Sequence, residues 1–227
     1  MPKLDRVRRW LWLNSLALVC FGAFLAFLVA QSVTGWLTYN DDRAELGLVQ
    51  LGYLAYLGTG HFVEATMENW ESEFLQMGSY VLLTAVLVQK GSPDANAPDR
   101  QREDDPADPE QVEPDSPGPV LRGGVWLAIY QHSLSILLLG MFVLTFVLHL
   151  LGGTAEENVA RQARGEPALS VAEFFRTSHF WFQSMQNWQS EFLAVGVLVV
   201  ATIFLRQRGS AQSKAVATPH SSSEGAG

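Results

Sequence analysis

HFVEATMENWESEFLQMG, His61 to Gly78, returns 118 residues later as HFWFQSMQNWQSEFLAVG, His179 to Gly196. Ten of the eighteen positions are identical, where unrelated segments share roughly one. Each copy is a polar, tryptophan-bearing stretch that runs straight into an apolar one. That order predicts a membrane-crossing helix with polar groups set into its first half.

Outward from this core the same offset holds without a gap, from Ser15/Ser133 to Ser92/Ser210. Along it fall Gly22/Gly140, Gly35/Gly153, Asn40/Asn158, Leu51/Leu169, Thr59/Thr177, Thr84/Thr202 and Gln89/Gln207. Chance does not keep register over such a length, so the pattern predicts a tandem duplication of a two-helix unit. Ahead of each core lies an apolar run. Leu11 to Val33 has only Asn14 and Gln31 as strongly polar members, and Leu134 to Leu151 has only Ser135, Thr145 and His149. Both reach the ~18–20 residues that cross a ~30 Å hydrocarbon layer, and neither shows the charged face of a soluble helix.

The expected organisation is therefore all-α. It is a four-transmembrane-helix bundle built from two tandem parallel helical-hairpin repeats. Residues 1–9 form a basic cytoplasmic lead, 10–92 the first repeat, 93–124 a linker, 125–210 the second repeat and 211–227 a tail. Helix 1 is expected over 10–33, with residues 34–60 as an outer loop. Helix 2 is expected from about 60 to 89, helix 3 over 125–151 and helix 4 over 180–205. In helix 2 the strictly apolar part, Phe74 to Val88, spans roughly 22 Å. A full crossing must therefore draw in Asn69 to Glu73. In the second outer loop Ser170 and Glu173 stand in capping-box order, which predicts a short interfacial helix.

The linker holds seven of the ten prolines and nine acidic residues against three arginines. It accounts for most of the net charge of -8, and its composition predicts disorder, as does that of the tail. No basic patch interleaved with aromatics is present, so nucleic acid is excluded as a partner. The single cysteine, Cys20, excludes an intrachain disulfide. Eleven of the fifteen Lys and Arg fall in the lead, the linker region and the tail. By the positive-inside rule both termini are cytoplasmic and the protein is a multi-pass protein of the inner membrane. Lipid is the expected partner, with self-association or other membrane proteins beside it.

At 100° per residue Thr66, Asn69, Glu73 and Thr84 share one helical face, as do Ser184, Asn187, Glu191 and Thr202. Trp70 and Trp188 flank these stripes. Glu64, Glu68 and Glu71 become Phe182, Gln186 and Gln189 in the second copy, so Glu73 is the only acid retained, as Glu191. A carboxylate within a bilayer costs about 2.5–3.5 kcal/mol on insertion scales and usually faces the bundle interior. Asn69, Glu73, Asn187 and Glu191 are thus the candidate polar or ion site. The structural reading is that the same residues join helices by hydrogen bonds.

His61 and His179 stand at the outer starts of helices 2 and 4 and are the outer-face candidates. His132 and His149 lie near opposite ends of helix 3, and His149 aligns with Gln31. None of these has the spacing of a metal or haem set, and no metal or cofactor is expected. GxSxG, HExxH, CxxC and P-loop motifs are absent, so no catalytic residue is assigned.

Gly60-His-Phe, Glu68-Asn-Trp-Glu-Ser-Glu-Phe-Leu75, Gln186-Asn-Trp-Gln-Ser-Glu-Phe-Leu193, Gln89-Lys-Gly-Ser92 and Gln207-Arg-Gly-Ser210 carry a resemblance. In these the chain resembles a family of small bacterial membrane proteins labelled as a domain of unknown function. The resemblance covers all but the linker and the ends and implies no activity. Three functions are left: a non-enzymatic membrane component, a proton- or cation-handling protein using Glu73 and Glu191, and a membrane enzyme with an outer-face His/Glu site.

Overall fold

A computed structural model describes residues 3–93 and 112–223. Among them the protein is all-α, with no strand. The helices are α1 (Lys3–Leu13), α2 (Ser15–Glu45), α3 (Tyr53–Tyr56), α4 (Gly60–Val86) and α5 (Gly118–Arg122). They continue with α6 (Gly124–Gln131), α7 (Ser133–Ala163), α8 (Val171–Phe174) and α9 (Ser178–Phe204). Four of these are long. Three of them, α2, α7 and α9, are long and apolar enough to cross a membrane. In α4 the first half carries Glu64, Glu68, Glu71 and Glu73, which shortens its apolar stretch.

Helices α2 and α7 have the same length, 31 residues, and α4 and α9 both have 27. The starts of α2 and α7, α3 and α8, and α4 and α9 are each 118 residues apart. Just before α2 and α7 the helical path is distorted at Asn14 and at His132, which have nearly the same backbone angles. Each expected first helix of a pair is thus divided there.

The helices run beyond the expected ends. α2 continues through residues 34–45, expected as loop, and α7 continues from 151 to 163. No proline interrupts these polar extensions, and they stop only at a glycine with positive φ, Gly47 at 70° and Gly165 at 73°. There Leu48 N–H donates to Arg43 C=O and Gly47 N–H to Ala44 C=O. Glu166 N–H and Gly165 N–H repeat the pattern on Arg161 and Gln162. This closure satisfies helix-end carbonyls and needs a left-handed residue, which glycine supplies without a Cβ clash. The capping box of the second loop forms as expected. Ser170 N–H donates to Glu173 Oε2 at 2.7 Å, and Glu173 N–H donates to Ser170 Oγ at 3.3 Å.

Most of the expected linker, residues 94–111, lies outside the described residues, as do 224–227. Residues 118–122 form the one-turn α5. Of the stretch after Gln207, expected to be disordered, residues 208–223 run through a series of turns. Its Lys214 is 2% exposed and donates to the carbonyls of Gly91, His220 and Ser222 at 2.7, 3.1 and 3.0 Å.

The chain divides into two compact units. The first takes the described residues of Met1–Ala65 and Leu150–Phe174. In it the Asn40 side chain clamps Leu51, accepting from its N–H at 2.8 Å and donating to its C=O at 2.9 Å. Asn158 does the same to Leu169 at 2.7 and 2.9 Å. Arg43 and Arg161 then donate to the carbonyls of Val49 and Pro167, both at 2.7 Å. These bonds fold the chain after α2 and after α7 back along its own helix. The start of α4 crosses α7 backbone to backbone. A Cβ on Gly152 would lie 2.7 Å from the Glu64 backbone nitrogen, and one on Gly60 would lie 2.6 Å from the Gly152 carbonyl oxygen.

The second unit takes the described residues of Thr66–His149 and Phe175–Gly227. Here α4 packs on α7, with Gly78 against Leu138 and Leu139. An aromatic cluster of Phe142, Phe146, Phe175, Phe180, Trp181 and Trp188 joins α7 to α9.

Burial is inverted relative to a water-soluble domain. The buried apolar residues among those described are Tyr39, Tyr56, Phe174 and Phe180, whereas the buried polar ones include Glu64, Glu71, Ser72, Thr145, His149 and Ser184. Large apolar side chains such as Leu16, Phe27, Val143 and Val197 are exposed. In water such a surface would drive aggregation; in hydrocarbon it is the required one. The three candidate spans together with this pattern point to a multi-pass membrane protein.

Candidate functional site

A buried acid–imidazole pair lies in the second unit. Glu71 Oε2 is 2.8 Å from His149 Nδ1, and both side chains have no exposed surface. The other oxygen, Glu71 Oε1, accepts from Trp188 Nε1 at 2.9 Å. One carboxylate thus joins α4 to both α7 and α9. The Phe180 ring lies over the imidazole at 4.9 Å between centroids. The second imidazole nitrogen, His149 Nε2, is 3.9 Å from Glu68 Oε2, on a side chain 23% exposed.

The local sequence explains the arrangement. Glu64, Glu68, Glu71 and Gly78 recur at helical spacings of four, three and seven, so they lie along one face of α4. Asn69 and Glu73 stand about 160° to either side of Glu71 on the helix wheel, nearly opposite. α4 turns the first face inward.

A second cluster belongs to the first unit. The Glu156 carboxylate lies beside the Tyr39 hydroxyl and the His61 backbone, and burial pushes its pKa above the ordinary carboxylate value. Tyr56 Oη is 3.2 Å from His61 Nδ1, and the Tyr39 ring lies 4.8 Å from the imidazole. His61 is on the first turn of α4, ahead of its apolar part. Burial holds its pKa below the ordinary histidine value, against the opposing charges of Glu64 and Asp42. Burial, with the charge of Glu156 beside it, pushes the Tyr56 hydroxyl above its ordinary value.

Of the residues expected to form a polar stripe, Thr66 and Ser184 are buried. Asn69 and Glu73 are exposed, and Asn187 and Glu191 are half-buried. Thr84 bonds Tyr80 C=O in its own helix and lines a groove of about 310 Å³ with Tyr80, Gly196 and Val199. Thr202 bonds the Val199 carbonyl. Trp70 is half-buried, and Trp188 is the indole on Glu71. His179 is exposed, while His61 joins the tyrosine–glutamate cluster. Among the described residues no group of three or more His, Cys, Asp or Glu is placed to hold a metal ion.

Sequence reasoning passed over Glu71, His149, Glu156, Tyr39 and Tyr56 as site residues. A signal existed for His149. It is the only ionisable side chain in a hydrocarbon-length apolar run, and such a group needs a polar partner on another helix.

Residues 7–225 match the model of a family described as Domain of unknown function (DUF6766). The chain belongs to DUF6766. No curated protein and no solved structure matches it. Membership in DUF6766 brings no activity with it, so the chemistry of this member rests on its own residues. A glutamate and an imidazole closed off from the surface, with an indole on the carboxylate, can fix helices, hold a proton, or do both.

Proposed function

We propose that this DUF6766 protein is a non-enzymatic, multi-pass membrane component whose helices are held together by a buried polar centre. The observation that carries the reading is the Glu71 carboxylate. Both of its oxygens are taken by groups from other helices, His149 and Trp188, with no surface left for a substrate. In this reading α4 is a fourth span, completed by drawing in its polar residues from Asn69 on. The two hairpins are parallel copies of one ancestral unit, and the basic residues keep both termini in the cytoplasm. Lipid covers the exposed apolar faces, and a second copy or another membrane protein docks beside it.

Reporter fusions after Gly47, Asp105, Gly165 and Gly227 test the arrangement. Activity of a cytoplasmic reporter at Asp105 and Gly227 alone is expected. A C-terminus on the side opposite to the Asp105 fusion would overturn it. The rival reading, proton or cation handling by Glu73 and Glu191, is favoured by the recurrence of this carboxylate at the 118-residue spacing. It predicts that Glu73→Gln with Glu191→Gln abolishes ion flux in proteoliposomes. The favoured reading expects no such flux to lose.

A further inference from the structure

We infer that Glu71, His149 and Glu68 form a proton-binding site that loads through Glu68. The inference rests on the bundle proposed above for its apolar surroundings and adds to it a ligand, the proton.

Two features of the geometry support it. Each imidazole nitrogen faces its own carboxylate, Nδ1 toward Glu71 at 2.8 Å and Nε2 toward Glu68 at 3.9 Å. Exposure also runs in one direction. Glu71 and His149 have none, while Glu68 reaches the surface with 23% of its side chain. A helix-joining strut needs the first contact only. The placement of a partly exposed acid at the far nitrogen is what a loading path requires.

The step balances with protons alone. A proton from solvent binds the Glu68 carboxylate and passes to Nε2. The proton on Nδ1 moves to Glu71 Oε2, and the imidazole has exchanged one tautomer for the other. An N–H and an O–H bond form, an O–H and an N–H bond break, and the cluster gains one positive charge. The 3.9 Å gap exceeds a direct hydrogen bond, so a rotation of Glu68 or one bridging water closes it.

Glu68 and Glu71, both from α4, face the imidazole. α9 presents the Phe180 ring to it and the Trp188 N–H to the second Glu71 oxygen. α7 itself has Thr145 one turn away, whose hydroxyl donates to the Met141 carbonyl. Glu71 is an end point, so the site stores a proton and does not conduct one.

The test uses the full chain in detergent or nanodiscs with ¹⁵N-labelled imidazoles, His149 being identified by the resonance lost in His149→Gln. The wild-type titration across the weakly acidic to neutral range is the deciding measurement. The expected result is a change of tautomer or protonation at His149 within that range. In Glu68→Gln, a change near the surface that leaves the Glu71–His149 contact in place, proton exchange at His149 is expected to slow by on the order of a hundredfold. An imidazole locked in one tautomer throughout, or exchange unaltered by Glu68→Gln, would overturn the inference. A titrating His149 in a protein whose reporter fusions contradict the proposed topology would leave the proton site standing and remove the bundle arrangement.

Discussion

Positions that recur at the 118-residue spacing and positions that do not are put to different uses. Asn40 and Asn158 recur, and each makes the same pair of bonds to a backbone leucine eleven residues on. Gly47 and Gly165 recur, and each closes a long helix in the same way. Glu71 and His149 do not recur. Their counterparts are Gln189, which is exposed, and Gln31, which is half-buried near the Ala65 carbonyl. These recurring residues shape the backbone, and the two that do not recur supply the buried acid–imidazole contact. The indole on Glu71, Trp188, does recur, as Trp70.

The sharpest way to break this contrast is to treat counterparts alike. Glu71→Leu removes one partner of a fully buried pair and is expected to cost about 3–5 kcal/mol. Gln189→Leu, at the exposed counterpart, is expected to stay within about 0.5 kcal/mol. Melting of both variants in the same detergent checks this, and equal losses would erase the distinction.

Next in size is the helix crossing in the first unit. Gly152→Leu would drive a side chain into the Glu64 backbone, which cannot rotate aside, at a cost of about 1–3 kcal/mol or more. Gly140→Ala meets open space and is expected to be near neutral. The recurring clamps should then behave as equals. Asn40→Ala and Asn158→Ala each sever two bonds and are expected to cost about 1–3 kcal/mol each. A clear difference between them would mean that recurrence does not imply equal use.

The smallest effect is that of pH at His61. Its pKa is depressed in the folded protein, so the unfolded chain takes up the proton first as pH falls. The folded state is at full strength above the ordinary histidine value of about 6.5 and loses stability below it, until the folded pKa is reached. Denaturant midpoints should fall over that interval in the wild type and fall less in His61→Gln.

Much of the fold was legible because it is written in long-range patterns. Hydrophobic length marked α2 and α7, the 118-residue repeat marked α9 as the counterpart of α4, and the Ser170/Glu173 pair marked α8. The ends of α2 and α7 were not legible, because Thr34 to Glu45 is polar and hydropathy does not separate a polar helix from a loop. Helix propensity and the stop signal at Gly47 decide that boundary. The candidate site was less legible. Glu73 and Glu191 stood out because they recur, yet Glu73 is exposed. Which face of α4 turns inward is set by its contacts with α7, among them Glu71 with His149 and Gly78 with Leu138 and Leu139. A wheel drawn from one helix does not contain those contacts.

A double-mutant cycle between Glu71 and His149, using Glu71→Gln, His149→Gln and the pair, tests the central claim most directly. If the two side chains form one buried unit, the losses in the unfolding free energy of the full chain will be non-additive by more than about 1 kcal/mol. Additivity within about 0.5 kcal/mol would mean that the two side chains do not act together, and the polar centre described here would not exist.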